Sequence, residues 1–129
     1  MIEYRSAESG DLDAIRAFLA ENGWQARVAD EVRFRKMIEK ASRTVVAVDD
    51  GRIVGFARAL CDDTSNGYIG TVAVAKGKRG QGIGREIVKH LMGDDPNITW
   101  LLRAGRGSET FWKKMGFSGS SIAMERTRA

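Results

Sequence analysis

The sequence predicts a mixed α/β fold, and three observations carry that expectation. Tyr68 to Ala75 is a β-branched run that passes through Lys78-Arg79-Gly80-Gln81-Gly82-Ile83-Gly84 into an amphipathic segment beginning at Arg85, so a strand runs through a glycine-rich turn into a helix. Asp49-Asp50-Gly51-Arg52 joins two β-rich runs, Thr44 to Val48 and Ile53 to Leu60, and Asp-Gly at such a junction signals an antiparallel hairpin. Ile98 to Leu102 then reads as a buried strand, and a strand–helix–strand unit of this length makes a right-handed crossover with parallel strands.

The elements follow in order along the chain. Ile2 to Arg5 is a short strand, after which Asp11 precedes an apolar stripe of Leu12, Ile15, Phe18 and Leu19 at helical spacing that ends at Gly23. A second helix covers Glu31 to Ala41, with Phe34, Met37, Ile38 and Ala41 on one face and Arg33, Arg35, Lys36 and Lys40 outside. After the hairpin, Asp62 to Gly67 turn the chain back into the strand that carries the glycine turn. Ile83, Ile87, Val88 and Leu91 repeat at helical spacing until Gly93-Asp94-Asp95-Pro96, which stops the helix. Ser108 can cap a short helix containing Phe111, Trp112 and Met115 that Gly116 ends. Ser120 to Arg126 supplies a last antiparallel strand.

Composition bounds the function. A chain of 129 residues, 43% hydrophobic and 29% charged, is expected to form one domain over residues 1–129 with an ordinary globular core. No stretch approaches a membrane span and Met1 to Arg5 carry no apolar signal segment, so no membrane partner and a cytoplasmic location are expected. A single cysteine, Cys61, and a single histidine, His90, exclude an internal disulfide and leave no zinc-ligand cluster; no metal is expected. The net charge of +4 is spread along the chain among 17 acidic residues, without a helix-turn-helix or RNA-binding signature, so no nucleic-acid partner is expected.

The glycine turn is an anion site written in sequence. It exposes successive backbone N–H groups, the following helix adds the positive end of its dipole, and Lys78, Arg79 and Arg85 add full charges. The spacing excludes a Walker loop, which needs Gly-Lys followed by Ser or Thr. It also excludes a dinucleotide fingerprint, because the third glycine of that pattern would fall on Arg85.

Arg79-Gly80-x-Gly82-x-Gly84, directly after a strand ending Val72-Ala73-Val74, closely resembles the acetyl-coenzyme A pyrophosphate loop of the GCN5-related N-acetyltransferase (GNAT) family. Phe111-Trp112-Lys113-Lys114-Met115-Gly116-Phe117 resembles that family's closing Phe-Tyr-x-Lys-x-Gly-Phe segment, and the order of elements is similar from end to end. The resemblance implies a central, mostly antiparallel mixed sheet flanked by helices, with a splayed parallel strand pair at the acetyl-CoA site. It implies that backbone groups of Val72, Ala73 and Val74 pair with the pantetheine arm, and that the pyrophosphate lies on Arg79, Gly80, Gln81, Gly82, Ile83, Gly84 and Arg85 with Lys78 nearby.

The implied reaction is direct attack of a neutral amine on the thioester in a ternary complex, with the oxyanion on a backbone N–H, that of Val74. Here the sequence departs from the family. Tyr68 to Ala75 contains no carboxylate where many members carry a glutamate, Gly70 and Thr71 standing there instead, and Trp112 occupies the place of a frequent tyrosine acid. A lysine-like amine of pKa about 10.4 is only about one part in a thousand neutral near pH 7.4, whereas an α-amine of pKa about 7.7–8.0 hardly needs a base. The departures therefore favour an acceptor of low pKa over a lysine side chain, and a small-molecule amine is the expected acceptor. They equally fit a catalytically silent acyl-CoA-binding or regulatory module, and acetylation of peptide or protein N-termini is a variant of the enzymatic reading.

Several further residues carry two readings each. Asp62 could act as a base through water and Asp63 could bind a cationic acceptor, or both could be solvated turn residues. Tyr68 and Trp24 could line the acceptor pocket or simply pack. Trp112 could flank the thiol end of the cofactor or fill the core. A C-terminal edge strand would offer a surface for pairing with a second copy.

Overall fold

A computed structural model describes residues 1–129. Five strands form one sheet: Ile2–Arg5 (β1), Arg43–Asp49 (β2), Arg52–Cys61 (β3), Asn66–Val74 (β4) and Thr99–Leu102 (β5), in the spatial order β1-β2-β3-β4-β5. Neighbours are antiparallel except β4 and β5, which are parallel. The four α-helices are Leu12–Leu19 (α1), Glu31–Lys40 (α2), Ile83–Met92 (α3) and Glu109–Lys114 (α4). This is the arrangement that the resemblance implies.

The hairpin forms because Asp50 and Gly51 both adopt positive φ, 51° and 76°, the two-residue primed turn whose twist matches its strands. Alternation then separates two cores. On one sheet face, Ile83, Ile87, Val88 and Leu91 of α3 pack with Val45, Ala57, Ala59, Ile69 and Trp112; on the other, Leu12, Ile15, Phe18 and Leu19 of α1 and Phe34 and Ile38 of α2 pack with Val46, Phe56 and Ala73. Each fully buried Ile, Phe or Val contributes about 1.5–3 kcal/mol. That burial fixes α3 across β2, β3 and β4, with its N-terminus at the end of β4.

Several expectations are corrected. β4 begins at Asn66, so Asn66 and Gly67 belong to the strand and not to the turn, because the Asp62 side chain closes the turn early by accepting the N–H groups of Thr64, Ser65 and Asn66. α3 begins at Ile83 and not at Arg85. β5 is not a buried strand: Leu101 is 44% exposed, since β5 is an edge that pairs only with Asn66–Ile69. Ser108 does not cap α4 through its side chain; its hydroxyl donates back to the Gly105 carbonyl at 2.7 Å. Ser120 to Arg126 forms no strand, and Ile122 and Met124 are exposed there. An Arg103–Glu125 ion pair at 3.0 Å ties this tail to the body, and an exposed pair of that kind is too weak to recruit a strand.

Candidate functional site

The segment from Val74 to Arg85 is built to present backbone donors. Lys76–Lys78 make one tight turn, after which Gly80 and Gly82 adopt φ of 79° and 84°, a left-handed conformation that favours glycine. Gly82 starts α3, its carbonyl accepting the Glu86 N–H at 3.1 Å. None of the backbone N–H groups of Arg79, Gly80, Gln81, Gly82, Ile83, Gly84 and Arg85 finds a backbone acceptor. No protein atom lies within 4 Å of where a Cβ would stand on Gly80 or Gly82, and Arg79, Gly80, Gln81 and Gly82 are exposed. Such a row at a helix N-terminus attracts an anion.

The charged side chains around it are partly engaged. Lys78 leans back to Asp49 at 3.4 Å, while the Arg79 Nε donates to the Val74 carbonyl at 3.4 Å and so lies across the mouth of the turn. Arg85 is exposed on the first turn of α3. Gly84 is the close-approach position, its would-be Cβ lying 3.3 Å from Phe111 and 3.5 Å from Val74, which draws α4 against the end of β4.

A cleft opens where β4 and β5 part. Their pairing stops at Ile69 and Leu102, so Gly70–Val74 have no neighbour on that edge. The Ala75 N–H donates to the Val54 carbonyl of β3 at 2.8 Å, and strand residues alternate the edge to which their backbone groups point. Val72 and Val74 therefore turn their N–H and C=O toward the cleft. Ala73 faces β3 instead, opposite Phe56, and is buried; the expectation that its backbone lies free in the cleft is corrected by this alternation.

On the α1/α2 side of the sheet the floor beside the cleft is irregular. Arg58 pairs with Thr71 and Ala59 with Ile69, so Gly70 is an extra, bulged residue, and bulges re-aim neighbouring side chains. The Arg58 Nε donates to the Thr71 hydroxyl at 3.1 Å, and its guanidinium lies against Gly70. Tyr68 is half-buried on the same strand. Trp24, in a wide turn that continues α1, packs against the core on the α1/α2 side, and Asn22 of that turn accepts the Lys76 N–H at 2.9 Å. Sequence reasoning missed Asn22 and Arg58. A lone charge inside the apolar run Ile53 to Leu60 was the signal for Arg58.

The acidic candidates stand elsewhere. Asp62 receives the Ser65 hydroxyl and the N–H groups of Ser65, Thr64 and Asn66, and these bonds hold its carboxyl well below the usual carboxylate range. A carboxylate so stabilised is a poor base. Asp63, at φ 62°, pairs with Arg43 at 2.9 Å on the exposed turn. Trp112 is 8% exposed, with its ring edge-on to Phe111 and Phe117 at centroid distances of 4.9 and 5.3 Å; it fills the core.

Residues 40–119 match the acetyltransferase (GNAT) domain family. The chain belongs to the GNAT acetyltransferase family. No curated protein matches it in sequence. Its fold is shared with a protein of unknown function from meticillin-resistant Staphylococcus aureus described as a probable acetyltransferase, at 20% identity and TM-score 0.77, over 100% of this chain and 98% of that one. Glucosamine-6-phosphate N-acetyltransferase from Arabidopsis thaliana is similar at 20% identity and TM-score 0.71, over 98% of each chain. AAC(6')-Iy, solved with the bisubstrate analog CoA-S-monomethyl-acetylneamine, is similar at 16% identity and TM-score 0.73, over 100% of this chain and 99% of that one. These likenesses concern the fold.

Within the GNAT frame the departures become physical. No carboxylate stands on β4, and the place of the family tyrosine holds an indole packed among aromatic rings. No helix is long and apolar enough to cross a membrane.

Proposed function

We propose that the chain is an acetyl-CoA-dependent N-acetyltransferase that transfers the acetyl group to a primary amine of a small molecule by direct attack in a ternary complex. The observation that carries this is the row of unpartnered backbone N–H groups from Arg79 to Arg85, open to solvent at Gly80 and Gly82, beside the unpaired β4 edge. A pyrophosphate fits that row, and an amide-bearing arm fits the N–H and C=O groups of Val72 and the C=O of Val74. The bound cofactor supplies an activated thioester.

The chain's own residues would then act as follows. Arg79 closes over the anion, contributing charge-assisted hydrogen bonds of about 1.5–3 kcal/mol. The Val74 N–H, which faces the unpaired edge of β4, is our candidate donor to the developing oxyanion. With Asp62 bound into its own turn and Trp112 in the core, no side chain takes the acceptor's proton directly; an amine of low pKa loses it to water, and a thiol of pKa about 8.5 departs as thiolate without an acid. This supports an amine of low pKa over a lysine side chain.

Calorimetric titration with acetyl-CoA tests the proposal. Saturable micromolar binding that weakens about tenfold or more in Arg79→Ala is expected, and absence of binding refutes it. The buried Trp112 and the missing β4 carboxylate favour one rival, a silent acyl-CoA-binding module. Release of the CoA thiol that depends on an added amine excludes that rival.

A further inference from the structure

Arg58 is an arginine without a counter-ion in the middle of a sheet. It is half-buried, it donates one hydrogen bond, from Nε to the Thr71 hydroxyl at 3.1 Å, and it enters no ion pair. Burial lowers its pKa, with Tyr68 and Arg128 as the titratable groups near enough to act on it and no carboxylate among them. Withdrawing a guanidinium from water without a paired anion is costly, yet the fold makes room for it. A Cβ on Gly70 would stand 2.6–2.7 Å from Cζ and both Nη atoms, so the guanidinium occupies the volume that any other residue at Gly70 would fill. The bulge at Gly70 brings this about.

The position bears on the acceptor. Arg58 alternates with Ala57 and Ala59, which face α3, and so lies on the opposite side of the sheet, the side of Phe56 and Ala73. It covers Gly70 and Thr71, where the resemblance would put a carboxylate base. Its two Nη groups keep their hydrogen-bonding capacity, and a planar guanidinium binds carboxylate and phosphate oxygens in a paired geometry.

We propose that Arg58 is the anion-recognition residue of the acceptor pocket, so that the amine acetylated here carries a carboxylate or phosphate group of its own. The inference rests on the acetyltransferase function proposed above and names its substrate class. Pairing with the guanidinium also cancels the acceptor's own anionic charge, which in water favours the protonated form of the nearby amine. That relieves part of what a base would do. The acceptor's oxyanion, in turn, supplies the counter-charge that the protein omits.

The test is release of the CoA thiol from acetyl-CoA with matched amines: α-amino acids against their primary amides, and aminoethyl phosphate against aminoethanol. In the wild type the anionic member of one pair is expected to show kcat/KM, referred to the neutral amine, at least about tenfold higher, up to about a hundredfold, as charge-assisted hydrogen bonds imply. The preferred pair identifies carboxylate or phosphate. Arg58→Met should abolish the preference, chiefly through KM, and Arg58→Lys should retain part of it. Equal rates for neutral partners, a preference that survives in Arg58→Met, or a loss of thermal stability without a change in preference would each overturn the assignment. Acetyl-CoA titration of the same wild-type preparation separates the failures. No acetyl-CoA binding defeats the proposed function and this inference with it; binding without acetylation of any anionic amine defeats the Arg58 assignment alone.

Discussion

Gly82→Ala probes the left-handed entry to α3, and Gly77→Ala is its control. Neither position has a protein atom within 4 Å of the added methyl, but Gly82 sits at φ 84° whereas Gly77 lies in an ordinary right-handed turn. The two substitutions therefore differ in backbone strain and not in packing. An L-residue in the left-handed region costs about 1–2 kcal/mol, of which about 0.5 kcal/mol is offset by the smaller entropy of the unfolded chain. The unfolding entropy of a 129-residue chain is roughly 0.27 kcal/mol/K, so Gly82→Ala should lower Tm by about 2–6 °C. Gly77→Ala feels only the entropic term and should raise Tm by about 2 °C. Differential scanning calorimetry reads both, and a Gly82→Ala protein melting at or above the wild type would refute the strain argument. If the open face of this turn holds the cofactor, the same methyl should weaken acetyl-CoA binding about tenfold or more while Gly77→Ala leaves it unchanged.

Two other perturbations have defined outcomes. Val74→Pro removes one backbone N–H that faces the cleft and no sheet partner; kcat is expected to fall about a hundredfold or more, with a modest drop in the urea midpoint from the lost packing of the Val74 side chain, and an undiminished kcat would remove Val74 as the oxyanion donor. Asp62→Ala should lower the urea midpoint at pH 7. The folded-state pKa of Asp62 lies below its unfolded value, so its contribution is fully present above about pH 4 and is lost as pH falls toward the folded value. The gap between variant and wild type should therefore narrow on acidification, and a gap independent of pH would show that the turn does not depend on the charged carboxylate.

Much of the fold was legible because local signals agreed with the global one. The Asp50-Gly51 turn, the stripe of Ile83, Ile87, Val88 and Leu91, and the glycine turn after Val74 each specify backbone geometry through neighbours in sequence. The C-terminal tail misled because Ile122 and Met124 alternate like a strand, yet a strand needs an edge to pair with, and pairing is non-local. β5 misled for a related reason: Trp100, Leu101 and Leu102 are apolar enough for a core, but they form an edge that only half of β4 meets.

The sequence alone determined the glycine turn of residues 79–85 and its row of free backbone N–H groups, since glycines, backbone donors and a helix start are consecutive and need no distant partner. Only the tertiary structure decided which backbone groups of β4 face the cleft, that Asp62 is bound within its own turn, that Trp112 belongs to the core, and that Arg58 stands over Gly70 without a counter-ion. Those properties depend on strand register, on one bulged residue and on which elements pack across the sheet. Register and packing are set by contacts between residues far apart in the chain, and a shift of one residue in a strand would turn each side chain to the opposite face.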